Sequence, residues 1–315
     1  MEQQARRGVA VSAPAKVNLQ LSVGAVQEDG FHPLATVFQA VSLRDTVVVL
    51  PRDDEQITVA VEASPHLSFD SSTVPIDDTN VAWRAAQTIR EHYNVSQGVD
   101  LTIVKGIPVA AGMAGGSADA AAALRACVEL WGIEASREDL LMLGAGLGAD
   151  VPFCLHGHTA VGRGRGDLLT SVMVGGEFHW VFATQSSGLS TPSVYAEFDR
   201  QVRNDDRVVA EPQIHEPLIA ALRTGDAEDV ARYLSNDLQE AACTKAPHVA
   251  DTLAAAMEAG ALGALVSGSG PTVAALARSR QHALAVSAGM RASGTADHVL
   301  VATGPVNGAT VTAHG

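Results

Sequence analysis

The stretch IPVAAGMAGGSADAAAAL, Ile107 to Leu124, limits more than any other what this chain can fold into. Gly112, Gly115 and Gly116 lead through Ser117 into a run of alanines that ends in Leu124, Cys127, Val128 and Trp131. Chain nearly devoid of side chains therefore feeds straight into a helix. Glycine lets backbone N–H groups turn toward a ligand, and a helix N-terminus adds unsatisfied donors and the positive end of a dipole. An anion, and among anions a phosphate, fits that arrangement. Three other readings compete with it. A P-loop requires a lysine before its Ser/Thr, whereas Ser117 follows Gly116 directly. A dinucleotide fingerprint requires its glycines right after the strand of a βαβ unit, with an acidic residue beyond. A flexible linker is opposed by Ala120 to Ala123, which are good helix formers.

The surroundings of this loop read as alternating sheet and helix. Val17, Leu19, Leu21 and Val23 alternate with Asn18, Gln20 and Ser22, the period of a half-buried strand. VFQAVSL, TVVVL and ITVAVE read as three further strands. Asp78, Thr79 and Asn80 cap a helix through VAWRAAQTIREHY, and VDLTIV is a strand that delivers the chain into the glycine loop. Ser136 caps another helix, and GHTAVGRGRGDLL is a strand with a glycine-dense turn. Arg163 and Arg165 in that turn are either a basic rim or, the preferred reading, a solvated turn.

From about Met173 a second pattern begins: strand FHWVFATQ, a helix with Pro192 in its first turn, and a polar connection. Helices follow over 218–222, 226–238 and 250–259, then ALVSGSGPTVAALA, a helix near 281–292 and a last strand HVLVAT. The order predicts an α+β unit with an antiparallel sheet. Two closely packed domains, 1–172 and 173–315, with a cleft between them are expected, and the Ala- and Gly-rich end past Gly304 is expected to fray.

The net charge of −14 over 315 residues disfavours nucleic acid as a partner, and any nucleotide site must be locally positive against it. Cys127, Cys154 and Cys243 form no CxxC pair and suit a reducing compartment. No apolar run has the length of a membrane span, and Met1 to Ala10 lacks the apolar core of a leader. A cytoplasmic protein is expected.

Four more pieces could carry chemistry. Lys16 opens the first strand beside Pro14; taken alone it is an edge lysine. Asp150, in GLGADVPF, is either a helix-connection cap or an acid held in a partly dry site. SGSGPTVAAL is a plain hairpin or a place where backbone can approach a ligand. Gly30-Phe31-His32 offers an aromatic face beside an imidazole, unless the histidine is an ordinary surface residue. His156-x-His158, with no acidic partner nearby, is not read as a metal site.

Together these pieces resemble the GHMP kinase superfamily. APAKVNLQLSVG, EDGFHPLATVFQAVSL, DDTNVAWRAA, KGIPVAAGMAGGSADAAAAL, LGADVPF and SGSGPT occur in that family's order over nearly the whole chain. The resemblance implies a two-domain fold, with an N-terminal domain like the second domain of ribosomal protein S5 and a ferredoxin-like C-terminal domain. It implies Lys16 and Asp150 as the catalytic pair. The ATP phosphate loop would comprise Pro108, Val109, Ala110, Ala111, Gly112, Met113, Ala114, Gly115, Gly116, Ser117 and Ala118, with Lys105 and Asn80 along the nucleotide site. Asn18, Phe31, His32 and Thr191 would contact the substrate. The likeness is strongest to a branch that uses ATP and Mg²⁺ to phosphorylate the C2 hydroxyl of a diphosphocytidyl-linked methylerythritol in non-mevalonate isoprenoid synthesis. No residue is assigned as a metal ligand, and a monomer or weak homodimer is expected.

The chain departs from that pattern at three places. Met113 stands for a Leu, Ala118 for a Ser, which leaves Ser117 as the loop hydroxyl, and Phe31 for the commoner Tyr. Other members of the superfamily, acting on homoserine, mevalonate or sugars, are the nearest alternatives. The aromatic–His pair suits a base better than a small polyol. A non-catalytic nucleotide-binding regulator would need neither Lys16 nor Asp150.

Overall fold

A computed structural model describes residues 8–65, 67 and 69–314, so most of the stretch Met1 to Ala10 lies outside the described residues. The first half runs β1 (Val9–Val23), β2 (Leu34–Pro51), β3 (Ile57–Ala63), α1 (Val81–His92), β4 (Val99–Lys105), α2 (Gly115–Leu130), α3 (Arg137–Leu147), α4 (Val151–His156), β5 (Thr159–Gly164) and β6 (Leu168–Ser171). The second half runs β7 (Phe178–Thr184), α5 (Thr191–Asn204), α6 (Glu216–Thr224), α7 (Ala227–Arg232), β8 (Ser235–Asn236), α8 (Gln239–Lys245) and α9 (His248–Glu258). It ends with β9 (Gly263–Val266), β10 (Val273–Ala277), α10 (Arg280–Ser293), β11 (His298–Gly304) and β12 (Thr310–His314).

The chain is α+β, as expected. Its larger sheet has the order β12-β1-β2-β4-β3, with β5 and β6 continuing from β2 and the two-residue β8 pairing with β1. The two strands read in VFQAVSL and TVVVL are one, β2. Its register against β1 slips between Pro14 and Ala15, which leaves Ser42 and Leu43 as a bulge, while Arg44 and Asp45 pair with Pro14 and Ala13 and carry the strand on. Val17 and Leu19 of β1 pack with the alanines of α2, Ala118 and Ala120 to Ala123. Those small side chains let the helix lie close on the sheet. The opposite, polar face of β1 is also buried, because the second half of the molecule covers it: Gln20 donates to the Gln213 carbonyl at 2.6 Å and accepts from the His215 N–H at 2.9 Å. β1 is therefore a two-sided strand, not the half-buried one its alternation predicts.

The smaller sheet, β11-β7-β10-β9, is wholly antiparallel. Phe178, Trp180 and Phe182 of β7 join the core shared with the first half, while Val181 and Ala183 face α9 and α10. Two expectations are corrected. The helix read over 226–238 stops at Arg232, since Ser235 and Asn236 pair with Gln20 and Leu21. The expected frayed tail is instead β12, which pairs with β1 from Val9 to Ser12 and covers its open edge. Residues 310–314 thus return to the sheet of the first half.

Candidate active site

On β1, the side chains of Lys16 and Asn18 start a relay of hydrogen bonds that runs through Thr36 to the backbone carbonyl of Gln20. The Lys16 ammonium donates to Asn18 Oδ1 at 2.6 Å, the Asn18 amide donates to the Thr36 hydroxyl at 2.8 Å, and Thr36 donates to the Gln20 carbonyl at 2.7 Å. These donors orient one another, so the Lys16 side chain is held although it is buried. Asp150 Oδ2 lies 3.8 Å from Lys16 Nζ. Asp150 stands at the N-cap position of α4, yet its side chain makes no cap hydrogen bond. Its carboxylate is left to face Lys16 and remains about one-third exposed. The cap reading that the sequence left open therefore has no cap hydrogen bond behind it.

The glycine loop crosses the end of this pair. The Lys16 N–H donates to the Met113 carbonyl at 3.2 Å, tying strand to loop. Helix α2 begins after Ala114 in a left-handed conformation with no side-chain cap, so the first N–H groups are left to the cavity that Gly115, Gly116 and Ser117 line. Gly112 has φ +68°, and a Cβ there would lie 2.7 Å from the Ser267 carbonyl oxygen and 2.9 Å from that of Gly270. The two glycine turns of the sequence, 112–116 and 267–270, are therefore packed backbone to backbone. Gly268 serves the same closeness toward Lys16, since a Cβ there would sit 3.1 Å from Nζ. Asn236 fixes the second turn by donating to the Val266 and Gly268 carbonyls, both at 2.7 Å. No sequence reading found Asn236, because its role depends on the parallel pairing of β8.

The result is a cavity of about 410 Å³ lined by Lys16, Asn18, the loop from Ala110 to Ser117, Asp150, Thr191 and Ser269. A second cavity, about 490 Å³, adjoins it and holds Phe31, His32, Tyr195 and Asp199. Leu34, Ala149, Arg165, Thr191 and Tyr195 line both. His32 is a buried residue: Nδ1 is 2.8 Å from the Gly24 carbonyl, which can only accept, so Nδ1 carries the proton. Its Nε2 lies 3.6 Å from the Asp199 carboxylate, and its ring is 5.0 Å from that of Tyr195. Burial, and secondarily the Asp150 charge, push the Tyr195 phenol above its ordinary range. Phe31 is half exposed and carries the Arg165 guanidinium over its ring, 3.7 Å from the centroid.

Thr191, Tyr195 and Asp199 are spaced i, i+4, i+8 on α5, one face of a helix. That spacing is the signal that could have added Tyr195 and Asp199 to Thr191. Arg165 stands in the β5–β6 turn between Gly164 and Gly166, both at positive φ. The preferred reading of it as merely solvated misses that the hairpin folds back over the cavity.

Two expected nucleotide-site residues lie elsewhere. Lys105 is buried behind the loop, bonded to Asp45 and, at 2.7 Å, to Asp119; it lines neither cavity. Asp45 also accepts the N–H groups of Gly106 and Ile107, at 2.7 and 2.8 Å. Two carboxylates on one ammonium in a dry site force the issue of charge. Desolvation, together with the neighbouring Asp45, pushes the Asp119 carboxyl well above the usual carboxylate range, and both carboxylates hold the Lys105 pKa up despite burial. Asn80 spends its side chain on capping α1, accepting from Ala82 N–H at 2.8 Å and donating to the Pro75 carbonyl at 2.6 Å. Pro108 and Val109 face a third cavity, about 310 Å³, on the far side of Ala110.

No group of three His, Cys, Asp or Glu side chains able to hold a metal ion exists among the described residues. Nor is any helix among them long and apolar enough to cross a membrane.

Comparison with known proteins places this architecture. The GHMP kinases N terminal domain matches residues 80–158, and the GHMP kinases C terminal domain matches residues 218–296. The chain belongs to the GHMP kinases. It is 52% identical over 303 residues to the 4-diphosphocytidyl-2-C-methyl-D-erythritol kinase of Streptomyces coelicolor, covering 96% of this chain and 99% of that one. A crystal structure of a 4-(cytidine 5'-diphospho)-2C-methyl-D-erythritol kinase superposes with a TM-score of 0.74 at 32% identity, over 93% of this chain and 98% of that one. A homoserine kinase from Cytophaga hutchinsonii has the same TM-score at 23% identity, over 99% of both chains, which shows the shared fold alone.

Proposed function

We infer that this chain is an ATP-dependent kinase whose acceptor is the C2 hydroxyl of 4-diphosphocytidyl-2-C-methyl-D-erythritol, giving the 2-phosphate and ADP. The observation that carries the reading is the Lys16–Asp150 pair, 3.8 Å apart, in a cavity walled on one side by the glycine loop and opening on the other into an aromatic pocket.

Asp150 accepts the proton of the acceptor hydroxyl or, in a loose transition state, orients that hydroxyl until the proton leaves late. Lys16, fixed by Asn18, faces the charge that develops between acceptor oxygen and γ-phosphate. The N–H groups at the start of α2 hold the phosphates. The cavity beside Pro108 and Val109 continues from the loop and suits the nucleoside of ATP. Ser117 and Asp150 offer oxygens at the loop end; a Cβ on Gly148, two residues before Asp150, would be 4.0 Å from the Ser117 hydroxyl. Such a sparse set fits a Mg²⁺ that keeps mostly phosphate and water ligands, and the ion would supply neutralisation of the phosphate charge.

In the second cavity the cytosine stacks against Phe31 and Tyr195. His32 Nε2 and the Asp199 carboxylate together present acceptors that suit an exocyclic amino group. A small acceptor such as homoserine or mevalonate uses none of this. The testing experiment is an ADP-release assay offering the diphosphocytidyl substrate, homoserine and mevalonate. Turnover with the first alone is expected; turnover with either of the others at comparable efficiency would overturn the acceptor assignment.

A further inference from the structure

We propose that Arg165 is the anchor for the diphosphate of the nucleotide-linked substrate, exchanging its partner Asp29 for that diphosphate when the substrate binds. The inference rests on the cytidine-substrate reading above. A diphosphate joining a base in the aromatic pocket to an alcohol beside Asp150 has to cross the junction of the two cavities. Among the described residues, Arg165 is the one Arg or Lys that lines both cavities. Lys16, the other cation of the first cavity, is committed to Asn18 and Asp150 at the reacting end.

The present partners of Arg165 are weak ones. Its Nη2 lies 3.3 Å from Asp29 Oδ2, and both side chains are about half exposed, at 53% and 52%. Exposed pairs of this kind contribute little and are readily exchanged. The guanidinium rests on the Phe31 ring, on a face that a base could use for stacking. Base binding and release of the guanidinium are then one event, and the freed group has five donors in a planar fork that matches phosphate oxygens. The turn permits the movement: Arg165 sits between two glycines at positive φ, and its backbone N–H is pinned to Asp167 at 3.1 Å. The backbone is held while the side chain is free to swing. A molecule of net charge −14 needs such a local cation to accept a dianion at all.

The test is direct titration of CDP and of cytidine into the wild type, R165A, R165K and R163A. Arg163 lies in the same hairpin, carries the same charge and lines neither cavity. R165A is expected to weaken CDP on the order of 10- to 100-fold, as loss of charge-assisted hydrogen bonds does, while cytidine changes by less than about twofold. R165K recovers part of the loss and R163A behaves as the wild type. Equal losses for CDP and cytidine in R165A would put Arg165 on the base and overturn the proposal; so would an equal CDP loss in R163A, or no loss in R165A. A wild type that binds neither ligand overturns the cytidine reading itself, and the anchor falls with it.

Discussion

Lys16 and Lys105 stand on either side of one glycine loop, both buried, both paired with aspartate, and they do opposite things. Lys16 is 3.8 Å from an Asp150 carboxylate that remains 32% exposed, in a cavity with room for a ligand. Lys105 is closed between Asp45 and Asp119, with all three side chains nearly sealed from solvent. The first arrangement leaves a carboxylate with lone pairs to spare and an ammonium facing outward. The second uses its charges on one another and on the N–H groups that start the loop. Nearness to the glycine loop does not by itself turn a lysine and its partner toward the cavity. What decides is whether its partner still has an unsatisfied face toward the cavity.

The sharpest break of this comparison is Asp150→Asn. Loss of the base is expected to lower kcat by roughly 10²- to 10⁴-fold while the melting temperature hardly moves. Near-normal kcat would remove Asp150 from the chemistry. Lys105→Met is expected to do the reverse: two buried carboxylates lose their cation, and stability falls by about 3–5 kcal/mol in urea unfolding. A Lys105→Met protein that melts like the wild type yet binds ATP poorly would move Lys105 into the site.

A smaller effect is expected from Asn18→Ala, which leaves the Lys16 ammonium without its 2.6 Å acceptor. A loss of about tenfold in kcat with an unchanged KM for ATP would mark Asn18 as positioning Lys16, on the scale of one charge-assisted hydrogen bond. An equal rise in KM for ATP would argue against that. The smallest change is in pH dependence. The Asp119 pKa is raised on folding, so the folded state holds its proton more tightly than the unfolded chain does. That contribution is fully present below the ordinary carboxylate value near 3.8 and is lost as pH rises through the raised value. Asp119→Asn removes the loss, so its stability relative to wild type should improve from pH 4 toward pH 7 in urea titrations. A relative decline over that range would mean that the charged form of Asp119 is stabilising.

Local pattern carried much of this protein's reading. The strand period of β1, the Asn80 and Ser136 caps, and the glycine-to-alanine passage into α2 are short-range features that sequence displays directly. The failures share one cause. β12 lacks strong alternation and becomes a strand only because β1 offers it an open edge. Asn236 reaches the 267–270 turn only because two residues of β8 pair with β1. Arg165 reaches the cavity only because the hairpin folds back over it, and Lys105 misses the cavity because Asp45, 60 residues earlier, captures it from behind.

By itself, then, the sequence determined a glycine loop opening a helix, an α+β chain, and the Lys16 and Asp150 pieces in a recognisable order. Tertiary structure decided which charged side chains face the cavity. Periodicity and capping are set by neighbours along the chain, whereas the exposure of a charge is set by whatever distant segment lies across it. Here that segment is the 267–270 turn on one side of the loop and Asp45 on the other.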